Sequence, residues 1–228
     1  MERLPAYSND AALRTGLSTA DVAANRVLRN TYLLLAATLA FSALTAGTAL
    51  ALNLPHPGMI ITLVGYFGLL FAVTKTRNSA MGIAFVFALT GFMGYTLGPI
   101  LGYYLTAVPN GSGVVANAFG ITAITFTALS VYAVKSRRDF SFMRGFLFVG
   151  VLAAFLLGLA AIFFNMPMVS LAVSGLFVLL MSGMILWQTS DIVNGGETNY
   201  IMATVSLYVS LFNLFTSLLH LLGFSSED

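Results

Sequence analysis

Cysteine is absent from the 228 residues, which excludes a disulfide framework, a cysteine-based zinc site and a thiol nucleophile. Charge is scarce as well. Only 8% of residues are charged, against roughly 25% in a soluble domain, so a solvated surface of the ordinary kind cannot be built. The two histidines, His56 and His220, are far apart and lack a carboxylate spaced as a co-ligand, so no metal site is expected. The last hydrophobic segment holds no lysine, which excludes a retinal-type Schiff base. An intramembrane aspartyl protease needs two facing aspartates, and only Asp191 lies near an apolar run. An intramembrane serine protease wants a Gly-x-Ser-Gly helix entry and a histidine. Ala172-Val173-Ser174-Gly175 is a near miss, with His220 the residue that could be recruited. Gly195-Gly196 reads as a turn rather than a phosphate cradle. The expectation is a protein that is not an enzyme, with no cofactor and no identifiable small-molecule substrate.

What the chain has in abundance is apolar length. Hydrophobic residues make up 58% and the mean hydropathy is +0.91. Crossing about 30 Å of hydrocarbon takes roughly 20 apolar residues, and seven segments qualify: about 31–52, 58–74, 80–106, 114–134, 145–164, 168–187 and 200–222. The breaks carry turn chemistry, among them Asn53-Leu54-Pro55-His56-Pro57, Pro109-Asn110-Gly111-Ser112-Gly113 and Asn165-Met166-Pro167. The fold class is therefore an all-α membrane protein with seven transmembrane helices.

The net charge of +2 and pI near 9.0 could suggest a nucleic-acid partner, but the placement of the charges has a simpler reason. Arg3, Arg14, Arg26 and Arg29 precede the first span, Lys75 and Arg77 follow the second, and Lys135, Arg137, Arg138 and Arg144 follow the fourth. Loops after the odd spans hold none. By the positive-inside rule the N-terminus is cytoplasmic and seven crossings leave the C-terminus outside. No nucleic acid is needed; the partner of the apolar surface is the lipid bilayer. The first apolar run is long enough to act as an uncleaved anchor. Residues 1–29 read as a cytoplasmic N-terminal tail and 30–228 as the membrane domain. Residues 1–17 are polar and aperiodic and are expected to be mobile, whereas Ser18 can cap a helix that carries Asp21 near its positive end and runs into the first span.

The last span draws its polar residues into one line. Asn199, Ser206, Asn213 and His220 recur every seven residues, with Ser210 and Ser217 in the alternate slots, a 3/4 spacing that lies on one side of a helix. Such groups are costly against lipid, so this helix is expected at the centre of the bundle, its seam turned to other helices or to water. In the third span Gly94, Gly98 and Gly102 make a smooth packing face, and Pro99 is expected to kink the helix and free a carbonyl.

Several stretches resemble the Bax inhibitor family of membrane proteins: Gly195-Gly196-Glu197-Thr198-Asn199-Tyr200-Ile201 and its continuation to Leu211, Val27-Leu28-Arg29-Asn30-Thr31-Tyr32, and Thr90-Gly91-Phe92-Met93-Gly94-Tyr95-Thr96-Leu97-Gly98-Pro99-Ile100-Leu101. The resemblance covers nearly everything after the tail and points to the bacterial inner-membrane branch. It implies seven helices with the last one central, and interaction with FtsH, a membrane-anchored ATP-dependent protease, as a modulator and slowly degraded substrate linked to HflK–HflC. A cation or proton leak is the alternative it implies. Relatives with that activity carry an aspartate in the sixth helix before a threonine and another in the seventh; the matching positions here are Gln188 and Ser210. With Gln188, Asp191, Ser206, Ser210, Asn213, Ser217 and His220 as the polar seam, Glu197 and Asn199 form its expected cytoplasmic mouth.

Overall fold

A computed structural model describes residues 19–226. Seven long helices follow one another: α1 Thr19–Ala51, α2 Met59–Thr76, α3 Ala80–Ala107, α4 Gly111–Ser136, α5 Arg144–Phe163, α6 Pro167–Val193 and α7 Tyr200–Phe224, with a single 3₁₀ turn at Ser141–Met143 before α5. All seven are long and apolar enough to cross a bilayer. The protein is a multi-pass membrane protein. α1 runs without interruption across positions 29 and 30; the expected tail of residues 1–17 and the capping Ser18 lie outside the described residues.

Local chemistry explains where helices stop. Asn53, Asn110 and Asn165 follow or precede helices in the left-handed region, with φ of 49°, 50° and 51°, a conformation that asparagine tolerates better than most residues. Pro167 opens α6 at its first position, where its missing N–H would have no partner in any case. Pro99 sits within α3, which continues through it to Ala107. The Tyr95 hydroxyl donates to the Pro55 carbonyl at 2.8 Å, fastening the α1–α2 loop to α3.

Packing divides the helices sharply. α7 lies against α1, α2, α3, α4 and α6, and its buried positions (Ile201, Val205, Leu207, Leu211, Leu214 and Leu218 among them) face every direction around the rod. It is the central helix. α1 and α3 form the most extensive pair, brought close by glycine. A Cβ on Gly94 would run into Thr45 Oγ1 and the Ser42 carbonyl, and one on Gly98 would sit 2.6 Å from Ala49 Cβ and 2.7 Å from the Ala46 carbonyl. Gly102, four residues on, meets only the tip of Leu50 at 3.3 Å, so the smooth face ends a turn earlier than its spacing suggested. α2 and α5 are peripheral and turn Ile60, Val64, Phe71, Phe146, Val149 and Leu156 outward, as lipid-facing helices do. Between them the backbones do not approach closely; they touch through the Phe67 and Phe155 rings, edge to face with centroids 6.4 Å apart.

Candidate functional site

Of the seam expected on α7, Ser206, Ser210 and Asn213 line a cavity of about 610 Å³ bordered by α2, α3, α5, α6 and α7. Its polar floor is Gln188 of α6 with Ser206, Ser210 and Asn213 of α7. Gln188 and Ser210 are both buried, and the Ser210 hydroxyl donates to Gln188 Oε1 at 3.1 Å. The two positions that the sequence comparison paired, twenty-two residues apart, are thus in direct contact, and what they form is a neutral hydrogen bond. Asn213 Nδ2 donates to the Val209 carbonyl one turn back at 2.8 Å. No carboxylate lines this cavity among the described residues.

The rest of the seam is distributed. Ser217 is buried on α7 outside the cavity. His220, half-buried near the far end, shares a 2.7 Å hydrogen bond between its Nδ1 and Ser174 Oγ of α6. Ser174 also donates to the Ser170 carbonyl at 3.1 Å. This is the pairing a serine hydrolase would need, but Ser174 lies well inside α6, where the neighbouring amides are committed to the helix and none is free to stabilise an oxyanion. The pair reads as a clasp between α6 and α7. Among the described residues no group of three His, Asp or Glu side chains could hold a metal ion.

Asp191 does not reach the cavity. α6 extends six residues past the expected end at 187, carrying Asp191 to the turn that joins α6 to α7. There its carbonyl accepts from the Gly196 amide at 2.8 Å and the Glu197 amide at 3.3 Å. Glu197 Oε1 in turn accepts from the Asn199 amide at 2.7 Å. Asn199 is the true N-cap of α7: its Oδ1 accepts from the amides of Ile201 and Met202 at 3.0 and 3.1 Å, satisfying two of the donors that every helix start leaves open. Its Nδ2 donates to the Arg77 carbonyl and to Asn78 Oδ1, at 3.0 and 2.9 Å, so one side chain locks the α2–α3 loop to the start of the central helix. The expected mouth residues therefore do meet, as a closed hydrogen-bonded corner.

Sequence reasoning missed the opposite side of α7. Tyr208 is 1% exposed; its hydroxyl donates to the Thr90 carbonyl of α3 at 3.2 Å and, with its proton spent there, accepts from Ser42 of α1 at 2.6 Å. One turn earlier Thr204 Oγ1 lies 3.3 Å from the Thr31 carbonyl of α1. Thr204 and Tyr208 form an i, i+4 pair, and that spacing was the available signal. At the α4–α5 loop, Ser190 donates to the Arg138 carbonyl at 2.7 Å and accepts from the Phe140 amide at 3.3 Å.

The family profile described as "Inhibitor of apoptosis-promoting Bax1" matches residues 24–227. A protein of Escherichia coli strain K12 named "Modulator of FtsH protease YccA" is 51% identical over 229 residues, covering 100% of both chains. An uncharacterized protein of Pseudomonas aeruginosa is 52% identical over 89% of this chain and 90% of its own. An uncharacterized membrane protein of Vibrio cholerae is 42% identical over 98% of each.

Proposed function

This chain belongs to the family of inhibitors of apoptosis-promoting Bax1, and on that premise we propose that it is a non-catalytic modulator of the FtsH protease in a bacterial inner membrane. The observation that carries the reading is the 51% identity with a relative named for that role, covering 100% of both chains. The orientation that fits has the N-terminus in the cytoplasm and the C-terminus in the periplasm. Arg26, Arg29, Lys75, Arg77, Lys135, Arg137, Arg138 and Arg144 all fall at the ends of helices that share one side of the bundle, as positive-inside retention requires. The Arg137–Asp21 ion pair at 3.0 Å joins two of those ends.

A physical route to modulation follows from the contrast between tail and body. The polar N-terminal tail is the part of the chain an unfoldase could grip from the cytoplasm. The body opposes extraction through glycine-close packing of α1 on α3 and through hydrogen bonds from α7 to α1, α3 and α6. A substrate engaged readily and withdrawn slowly occupies the protease. Deleting residues 2–17 should abolish both its turnover and its inhibition of FtsH; unchanged turnover would remove the tail from the mechanism. Affinity capture from solubilised membranes should recover FtsH, with HflK–HflC as the further partner to look for. The cation-leak alternative gains no support at the Gln188–Ser210 contact, which is neutral, because a pH-sensitive latch needs two carboxylates competing for one proton.

A further inference from the structure

The cavity beside α7 has a shape and a charge setting that the modulator role does not use. It runs from Met202 to Asn213 along the central helix, eleven residues or about 16 Å, which is close to the hydrocarbon depth of a single leaflet at about 15 Å. Its volume of about 610 Å³ falls inside the range of roughly 300–1,000 Å³ that small-molecule sites occupy. Apart from the floor, Thr62 and the Tyr66 phenol, the lining is aliphatic, aromatic and rich in methionine, with Met93, Met181, Met184 and Met202 contributing. Methionine is the side chain that best adapts to a flexible apolar guest.

The cavity runs from Thr62, Leu63 and Phe177, in the far halves of α2 and α6, towards the end of the bundle that carries the basic loops, and the two helices flanking its lateral side each place a cation at that end. On α5, Arg144 precedes the lining residue Phe148 by four positions; on α2, Arg77 follows the lining residue Leu70 by seven. Both spacings keep the cation on the cavity-facing side of its helix. Both arginines are exposed. Arg144 stands over the Trp187 ring at 5.6 Å, and among the described residues neither arginine has a carboxylate oxygen within 4.0 Å, whereas Arg137 and Asp21 pair at 3.0 Å. Asp191 and Glu197 sit at the same end; one Glu197 carboxylate oxygen accepts from the Asn199 amide, and the Asp191 carboxylate is near enough to Arg144 to attract it, so a headgroup phosphate competes with that carboxylate for Arg144. A transmembrane helix about 10 Å across cannot pass between the Phe67 and Phe155 rings that bridge α2 and α5, whereas a hydrocarbon chain slides beside them.

We propose that this cavity is a binding site for the acyl chain of an anionic phospholipid from the leaflet on the basic side, the headgroup held between Arg77 and Arg144. Trp187, the single tryptophan of the chain, lies beside the cavity rather than in its lining, next to Gln188 in sequence and under Arg144, and serves as the fluorescent reporter for a chain held there. The full-length protein in phosphatidylcholine nanodiscs is titrated with phosphatidylglycerol brominated on its acyl chains. Expected is quenching of Trp187 that saturates at a few mole per cent, while brominated phosphatidylcholine quenches only in proportion to its bulk fraction. The double variant Arg77→Gln with Arg144→Gln, which leaves the interior untouched, should weaken the saturable phase by roughly tenfold or more. Ser206→Phe, which fills the cavity, should remove it. Equal quenching by the two lipids, or an unchanged titration in the charge variant, overturns the proposal. So does loss of FtsH capture in Ser206→Phe with the lipid titration intact, which would assign the cavity to a protein segment.

Discussion

Replacing Gly98 by alanine tests the packing that holds the first helix to the bundle. The new methyl would stand 2.6 Å from Ala49 Cβ and 2.7 Å from the Ala46 carbonyl, and carbon pairs rest at about 3.5–4.0 Å. α1 must therefore retreat by roughly 1 Å along that stretch, since the obstacles are a short side chain and backbone rather than a flexible tip. Overpacking of this kind costs about 1–3 kcal/mol. Alanine gains about 1 kcal/mol over glycine inside a helix; with unyielding obstacles putting the overpacking cost at the upper end of its range, about 2–3 kcal/mol, the net loss is about 1–2 kcal/mol. Gly94→Ala should behave alike, because its methyl would meet the Ser42 carbonyl. The same substitution elsewhere supplies the controls. Gly102→Ala meets only Leu50 Cδ1 at 3.3 Å and should fall within about 0.5 kcal/mol of the parent, while Gly175→Ala meets nothing within 4 Å and should gain about 0.5–1 kcal/mol. Equilibrium unfolding in mixed micelles, followed by far-UV circular dichroism, ranks the four. If Gly98→Ala proves as stable as Gly102→Ala, the close approach of α1 and α3 is not what these glycines provide.

Tyr208→Phe removes two interhelical hydrogen bonds and should lower stability by about 1 kcal/mol, at the roughly 0.6 kcal/mol that such bonds average in membranes; an unchanged unfolding curve would make the hydroxyl incidental. Asn199→Ala leaves the first amides of α7 and the α2–α3 loop without partners and should cost about 1–2 kcal/mol, with faster amide exchange confined to Ile201, Met202 and the 77–79 loop. Asn199→Asp keeps the cap but not the donors and should fall between. The double variant Gln188→Asp with Ser210→Asp sets two carboxylates where a 3.1 Å hydrogen bond now lies. Its stability relative to the parent should fall as pH rises and the second proton is removed, and a difference that stays flat between about pH 5 and 8, above the ordinary carboxylate range of about 4, would mean that the two positions separate.

The arrangement of spans was legible because the bilayer imposes it: length, apolar content and the one-sided placement of arginine and lysine are all consequences of crossing hydrocarbon. The central position of α7 was legible for a related reason, since Ser206, Ser210 and Asn213 on one line demand company. What the heptad could not convey is that a central rod has neighbours all round, so Thr204 and Tyr208, which look unremarkable between leucines, are partnered by α1 and α3 just as the seam is by α6. The end of α6 was misjudged at Trp187 because apolar content stops there, while the helix continues to Val193 on hydrogen bonds that a polar sequence makes equally well. Gly102 was assigned to a packing face by its spacing, but the partner helix α1 ends at Ala51 and leaves Gly102 only the tip of Leu50 to meet. Contacts such as Ser174 with His220, forty-six residues apart, depend on how helices are juxtaposed, which no single-helix periodicity carries.

The order in which helices would leave the membrane links these contacts to function. A pull on the N-terminus acts first on α1, whose seat consists of the glycine face of α3 and two polar ties to the central helix, Thr31 with Thr204 and Ser42 with Tyr208. Those ties lie on one helix and must break almost together, because α1 is continuous from Thr19 to Ala51 and cannot yield one turn without moving the next. Loss of α1 also takes Ser42 away from the Tyr208 hydroxyl and the Thr31 carbonyl away from Thr204, opening polar groups to hydrocarbon, where each unsatisfied one costs several kcal/mol. The barrier to extraction is then concentrated at the first step, and its height follows the α1–α3 fit. Gly98→Ala, weaker by about 1–2 kcal/mol, should be degraded by FtsH roughly 5- to 30-fold faster in a pulse-chase, at tenfold per 1.36 kcal/mol, and should inhibit the protease correspondingly less. Gly175→Ala, stabilised on α6, should not accelerate. If both variants turn over at the parental rate, α1 is not the element whose departure limits extraction, and slow withdrawal from the N-terminal side is not how this protein occupies the protease.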